Sequence, residues 1–161
     1  MIVVGIDPGS RYTGYGVIER VGRENHYLAS GRINATPEKE IEDRLPILYD
    51  GISTVLEQFN PDEAAVESIF TAYNSQSTIK LGHARGVAVL AVRHADIGLH
   101  SYPPAKVKKT VTGHGRAQKQ QMQRMVKMRL ELEGDLSEDA ADALAVAICH
   151  CQHANVPAQL R

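Results

Sequence analysis

The chain has 161 residues, 43% of them hydrophobic and 23% charged, with 18 basic against 19 acidic side chains. That length suits one domain able to bury roughly 70% of its unfolded surface, and the composition excludes collagen, coiled coil and disorder. The apolar run Val87 to Val92 is far short of the roughly 18 residues a membrane-spanning helix requires.

Ile2 to Ile6 is apolar and β-branched, as a central strand covered on both faces requires, and Asp7-Pro8-Gly9-Ser10 stops it. Gly14 to Glu19 and His26 to Ile33 are predicted strands joined through Val21 to Asn25, so three antiparallel strands open the fold. Ile41, Leu45, Leu48, Ile52, Val55, Leu56 and Phe59 recur at helical spacing despite Pro46 and Gly51. Glu63 to Ser68 is a short strand, placed parallel to the first by the helical crossover, with Glu67 near its C-terminal end. Ser75 to His94 is a long helix whose middle, Ala84 to Val92, is small or apolar on nearly every side except Arg85. It is expected to meet a core on one face and a partner subunit on the other. Leu99 to Tyr102 is a fifth strand and Pro104 starts a short basic helix. Gly113-His114-Gly115 is a predicted hinge before a second basic helix from Ala117 to Leu130. Ser137 caps a last helix with a buried stripe of Ala141, Leu144, Ala145 and Ile148. Residues 1–155 are thus expected to form a single α/β domain, a five-stranded mixed sheet flanked by helices, and 156–161 a loose tail.

The net charge of −1 hides segregation. Ser101 to Leu130 holds eight basic residues, among them Lys106, Lys108, Lys109, Arg116 and Lys119, and no acid; the rest of the chain sets ten basic side chains against all 19 acids. One region could meet phosphates while another gathers carboxylates. Asp7 and Glu67 stand at the C-terminal ends of neighbouring parallel strands, where open α/β sheets place their sites. Asp139 and Asp142 project from one face of the last helix, with Glu138 beside them as an alternative. Clustered carboxylates repel unless cations neutralise them, and hard oxygens suit Mg²⁺ or Mn²⁺. Two ions roughly 3.5–4 Å apart can activate water and stabilise the leaving oxygen of a phosphodiester displacement. Each acid also has a plainer role, in an Asx turn, at a strand end or at a helix dipole; the basic segment beside them favours metal and polyanion together.

Other signals are weaker. Gly5, Gly9, Gly14 and Gly16 lack the Gly-Lys-Ser/Thr of a phosphate loop, and Cys149, His150, Cys151 and His153 lack a second ligand pair at zinc-finger spacing, so helix-end packing is their expected role. Phe70 and Tyr73 follow Glu67 in a polar loop, where an aromatic could stack on or wedge between bases. The start of the chain shows no basic stretch or small-residue cleavage site, and Cys149 and Cys151 are too close for an ordinary disulfide; a reducing, cytoplasmic setting is expected.

Four motifs in order, Gly5-Ile6-Asp7-Pro8-Gly9-Ser10 with Thr13-Gly14-Tyr15-Gly16, Val66-Glu67-Ser68-Ile69-Phe70, Lys80-Leu81-Gly82-His83-Ala84-Arg85-Gly86, and Asp139-Ala140-Ala141-Asp142-Ala143-Leu144-Ala145, resemble the RuvC family of bacterial Holliday-junction resolvases across about the whole chain. The resemblance implies an RNase H-like fold, a homodimer, and Mg²⁺-dependent nicking of two like-polarity strands of a four-way DNA junction, leaving 5′-phosphate and 3′-hydroxyl ends. It implies two Mg²⁺ ions per site, and work alongside the RuvA and RuvB branch-migration proteins in recombination and repair. By residue, it implies Asp7, Glu67, Asp139 and Asp142 as catalytic metal-binding acids, Phe70 as an aromatic stacking near the junction centre, and Lys108 and Lys119 as basic residues needed for junction cleavage. Two rivals remain, an RNase H-like nuclease acting on RNA and a non-catalytic branched-DNA-binding protein.

Overall fold

Alternation along the first strand sets the layering. In β1 (Ile2–Asp7), Val3 turns to one face and Val4 and Ile6 to the other, all at most 1% exposed. The computed structural model describes residues 1–69 and 75–154. β2 (Tyr12–Val21) and β3 (Glu24–Asn34) continue antiparallel from β1, while β4 (Glu63–Glu67) and β5 (Gly98–Tyr102) run parallel to it, giving the order β3-β2-β1-β4-β5. The β2–β3 strands exceed the expected spans because the hairpin pairs as far as Val21↔Glu24, closing over Gly22 at φ 61°, a left-handed conformation that glycine takes without steric cost.

One face carries α1 (Ile41–Phe59) and α2 (Ser75–His94). Ile52, Val55 and Leu56 of α1, with Ala88, Ala91 and Val92 of α2, bury Val4, Ile6, Val17, Ala64 and Val66 of the sheet. The buried face of α2 also includes Ala84, whereas Leu90 and Ile79 stand 46% and 58% exposed, so one side of this helix is uncovered. Pro46 lies on the exposed side of α1, where water can satisfy the carbonyl that proline leaves without a donor.

The other face carries α5 (Glu138–His153), backed by α3 (Pro104–Thr112) and α4 (Lys119–Arg129). Here the expectation of a single buried stripe is corrected: no residue from Ala143 to Cys151 exceeds 1% exposure. Val107 and Val111 of α3 and Met122 and Val126 of α4 cover the back of α5, making it a central rather than a surface helix. The Ser137 cap is present, its hydroxyl accepting from the Ala140 amide at 3.3 Å. α4 starts at Lys119 instead of Ala117, whose amide instead donates to the His114 carbonyl within the connecting turn. Gly113 ends α3 as a left-handed cap at φ 84°.

Candidate active site

Parallel pairing of β1 with β4 is recorded through Ile6↔Val66, so Asp7 and Glu67 form the next row, at the C-terminal ends of both strands. Both share the strand parity of Val3 and Ala65, which face α5. α5 reaches them because β1 and β2 are bare at the crossing. A Cβ on Gly5 would lie 2.1 Å from the Ala143 carbonyl oxygen, and one on Gly14 2.0 Å from that of Asp139. Three of the glycines that mimic a phosphate loop, Gly5, Gly14 and Gly16, therefore let a helix backbone lie against the sheet, while Gly9 meets only Tyr12 of the adjoining turn. Because Asp7 pairs with Gly14, that approach sets the first turn of α5 beside Asp7, with Asp142 one turn further along.

The electrostatics show that these acids share one environment. Burial, then the charges of Glu67, Asp142 and Asp139, push Asp7 up to about 8 against the opposing pull of Lys119. Glu67 rises to about 7, first through burial and then through Asp142, opposed by Lys108 and by a hydrogen bond with Asp7 that needs a proton on one of the two carboxyls. Burial also raises Asp142. An all-oxygen donor set under mutual repulsion fits hard divalent cations, whose charge would relieve the cost of ionising all four acids.

Glu67 and Asp142 open on a cleft of about 150 Å³ that Lys108 and Lys119 also line, with Val107 and Met122 as its apolar wall. A larger depression of about 690 Å³, between the β2–β3 turn and the end of α4, contains none of these acids. Lys119 donates to Glu138 at 3.0 Å, so Glu138 holds a base at the rim. Of the other predicted DNA-contacting residues, Lys106 lies over the Tyr102 ring at 5.1 Å rather than in the cleft, and Lys109 and Arg116 are exposed on α3 and the loop after it. Phe70 and Tyr73 lie outside the described residues.

Arg32 is a neighbour of the site with no local signal in the sequence. It stands opposite Gly14 in β3, completes the row Asp7–Gly14–Arg32 across three strands, reaches Asp139 at 3.7 Å and lies 4.3 Å from the Tyr12 ring centroid. Only strand register could have revealed it. Arg85 of α2 donates to the Glu67 carbonyl at 3.2 Å and to Ser101 Oγ at 3.0 Å, tying the end of β4 to β5. Toward the start of β4, His150 is buried against Glu63, with the Tyr102 hydroxyl reaching its Nδ1 at 2.9 Å.

A family model described as crossover junction endodeoxyribonuclease RuvC matches residues 3–150. Proteins of that description from Enterobacter sp. (strain 638) and Geobacter sulfurreducens are 49% and 45% identical to this chain. The first match covers 93% of this chain and 86% of that protein, the second 100% and 98%. Among solved structures, T. thermophilus RuvC in complex with Holliday junction substrate aligns at 32% identity and TM-score 0.85 over 93% of this chain and 92% of that one. The yeast mitochondrial Holliday junction resolvase, 15% identical with TM-score 0.66 over 93% of this chain and 78% of that one, shares the fold. The five-stranded mixed sheet with its flanking helices is the RNase H-like fold.

Proposed function

The chain belongs to the RuvC family of crossover junction endodeoxyribonucleases and is a nuclease of Holliday junctions, and from that premise we propose that Asp7, Glu67, Asp139 and Asp142 are its catalytic acids. The observation that carries this is the shared environment of three distant segments, in which Asp7 feels Glu67, Asp142 and Asp139 together. Family membership implies a divalent metal; the finer proposal is two Mg²⁺ ions per site, with Mn²⁺ able to substitute. Bound between these carboxylates, the ions would activate a water and stabilise the departing 3′-oxygen, leaving 5′-phosphate and 3′-hydroxyl ends.

The protein's own part is to position. β1 and β4 hold Asp7 and Glu67 on rigid strand ends, and α5 brings Asp139 and Asp142 over them. Lys108 and Lys119, at the cleft that Glu67 and Asp142 line, would hold the scissile phosphate. Lys106, Lys109 and Arg116 would contact the junction arms through phosphates, selecting shape more than sequence. Phe70 would stack near the junction centre, and Tyr73 would be a further DNA-contacting aromatic. Paired symmetric cuts call for a homodimer, matching the two-fold symmetry of the junction, and the uncovered side of α2 with Leu90 and Ile79 supports that assembly. We place the protein in the cytoplasm with RuvA and RuvB, in recombination and repair, acting through a single domain over residues 1–155. No helix among the described residues is long and apolar enough to cross a membrane.

The test is incubation of the full chain with a synthetic mobile four-way junction, a linear duplex and an RNA-containing duplex, in Mg²⁺, Ca²⁺ or chelator. Paired, ligatable nicks in the junction alone, lost without Mg²⁺, are expected. Junction binding without nicks would make the protein a structural binder, and cutting of RNA would move it to the RNA-directed rival.

A further inference from the structure

β4 begins with Glu63, which shares the parity of Glu67 but lies four residues, roughly 13 Å, nearer the opposite edge of the sheet. In β5, His100 pairs with Ala65 and shares a face with Tyr102. Near its C-terminus α5 brings His150 down onto the same face. One carboxylate oxygen and one ring nitrogen from each histidine all lie within 4.8 Å of one another. We propose that Glu63, His100 and His150 form a second metal site, separate from the acidic cleft and suited to Zn²⁺ or a similar transition-metal ion.

The donor set separates the two sites chemically. Four carboxylates suit hard ions, whereas two imidazoles and one carboxylate are a usual three-ligand set for Zn²⁺, with a fourth position left to water. Each member is prepared for this. His150 is fully buried, and both of its ring nitrogens face polar partners. Its Nε2 meets Glu63 Oε2, and its Nδ1 lies 2.9 Å from the Tyr102 hydroxyl. Without metal, Nε2–H donates to the carboxylate and Nδ1 accepts from Tyr102. When an ion takes Nε2, the ring proton moves to Nδ1, which then donates a hydrogen bond to the Tyr102 oxygen, so both ring nitrogens keep a partner.

His100 supplies the adaptable arm. Its Nε2 lies 3.8 Å from Glu63 Oε2, its ring lies tilted by 35° against that of His150 with centroids 4.5 Å apart, and its side chain is 45% exposed. Bonds of about 2.0–2.2 Å set tetrahedral ligand atoms roughly 3.3–3.6 Å apart, so His100 must draw in while Glu63 parts from its direct hydrogen bond with His150, movements that the partly exposed Glu63 and His100 side chains can supply at the surface. Arg20, whose charge acts on His150, is turned to the carbonyls of Cys151 and Ala154. An ion held here would clamp the C-terminal end of α5 to the first residues of β4 and the middle of β5.

The experiment is Zn²⁺ uptake by the metal-free full chain in competition with a chromogenic chelator, with Co²⁺ absorption as a geometric readout. One equivalent of Zn²⁺ per chain is expected, with the intense visible bands of tetrahedral Co²⁺, and at least a 100-fold loss of affinity in His100→Ala and Glu63→Gln. Asp7→Asn should bind Zn²⁺ like the parent, which separates this site from failure of the acidic one. The exposed His100 permits replacement without loss of fold, checked by an unchanged metal-free circular dichroism spectrum. No uptake by the parent, equal uptake by His100→Ala, or loss in Asp7→Asn would overturn the proposal.

Discussion

Replacing Asp7 by asparagine should make the metal-free protein more stable while destroying its activity. Asp7 is held at about 8 in the folded chain against 3.8 for the free carboxyl, through burial first and then the charges of Glu67, Asp142 and Asp139. Because the folded value is raised, its contribution to stability is fully present below pH 3.8 and is lost as pH rises through about 8. At about 1.4 kcal/mol per pH unit, the loss between 3.8 and 7 has a ceiling of about 4 kcal/mol, which solvent screening of a half-buried carboxyl reduces by about half. The remaining ~2 kcal/mol corresponds to a rise in Tm of roughly 4–8 °C at pH 7 for a chain of this size. Thermal unfolding followed by circular dichroism in chelator, at pH 5 and at pH 7–8, measures it. The parent should lose stability across that interval, Asp7→Asn should lose less, and Mg²⁺ should stabilise the parent alone. A parent Tm that does not fall relative to the variant would refute the idea that Asp7 shares a desolvated acidic site.

The same geometry yields further expectations. Glu67→Gln and Asp142→Asn should each bind a four-way junction with near-parental affinity by gel shift yet cut it more slowly, by more than the roughly 10–100-fold that loss of an outer-shell partner costs a metal site. Lys108→Ala should slow cutting even at saturating protein, since its side chain lines the cleft with Glu67 and Asp142; an unchanged single-turnover rate would leave it a surface charge. Gly14→Ala should destabilise by about 1–3 kcal/mol in denaturant titration, because its Cβ would fall 2.0 Å from the Asp139 carbonyl oxygen and lever α5 off β2.

Legibility in the sequence followed the range of each physical signal. The apolar β-branched run of β1 and the helical spacing of α1 are local patterns, and both elements form where those patterns predict. Asp7 and Glu67 were readable because a strand-helix-strand crossover fixes which strand ends are neighbours, and Asp139 and Asp142 because they are one helical step apart. The burial of α5 around its whole circumference was not readable, since it depends on two basic helices folding back over it. Arg32 was hidden for a similar reason, its place beside Asp139 being set by a register that runs across three strands. The meeting of His150 with Glu63 and His100 was not readable either, since those two lie in strands far away in the sequence.

The central position of α5 also bears on the order of events during synthesis. The hairpin of β1, β2 and β3 draws on neighbouring sequence and can form early, whereas Asp139 and Asp142 leave the ribosome after every strand is complete. A nascent chain that ends before α5 has Asp7 and Glu67 but leaves the apolar face of β1, β2 and β4 bare, the surface on which such intermediates aggregate. Burying that face and assembling the acid cluster are one step, so a nascent chain that lacks α5 also lacks half of the proposed catalytic acids until its fold closes.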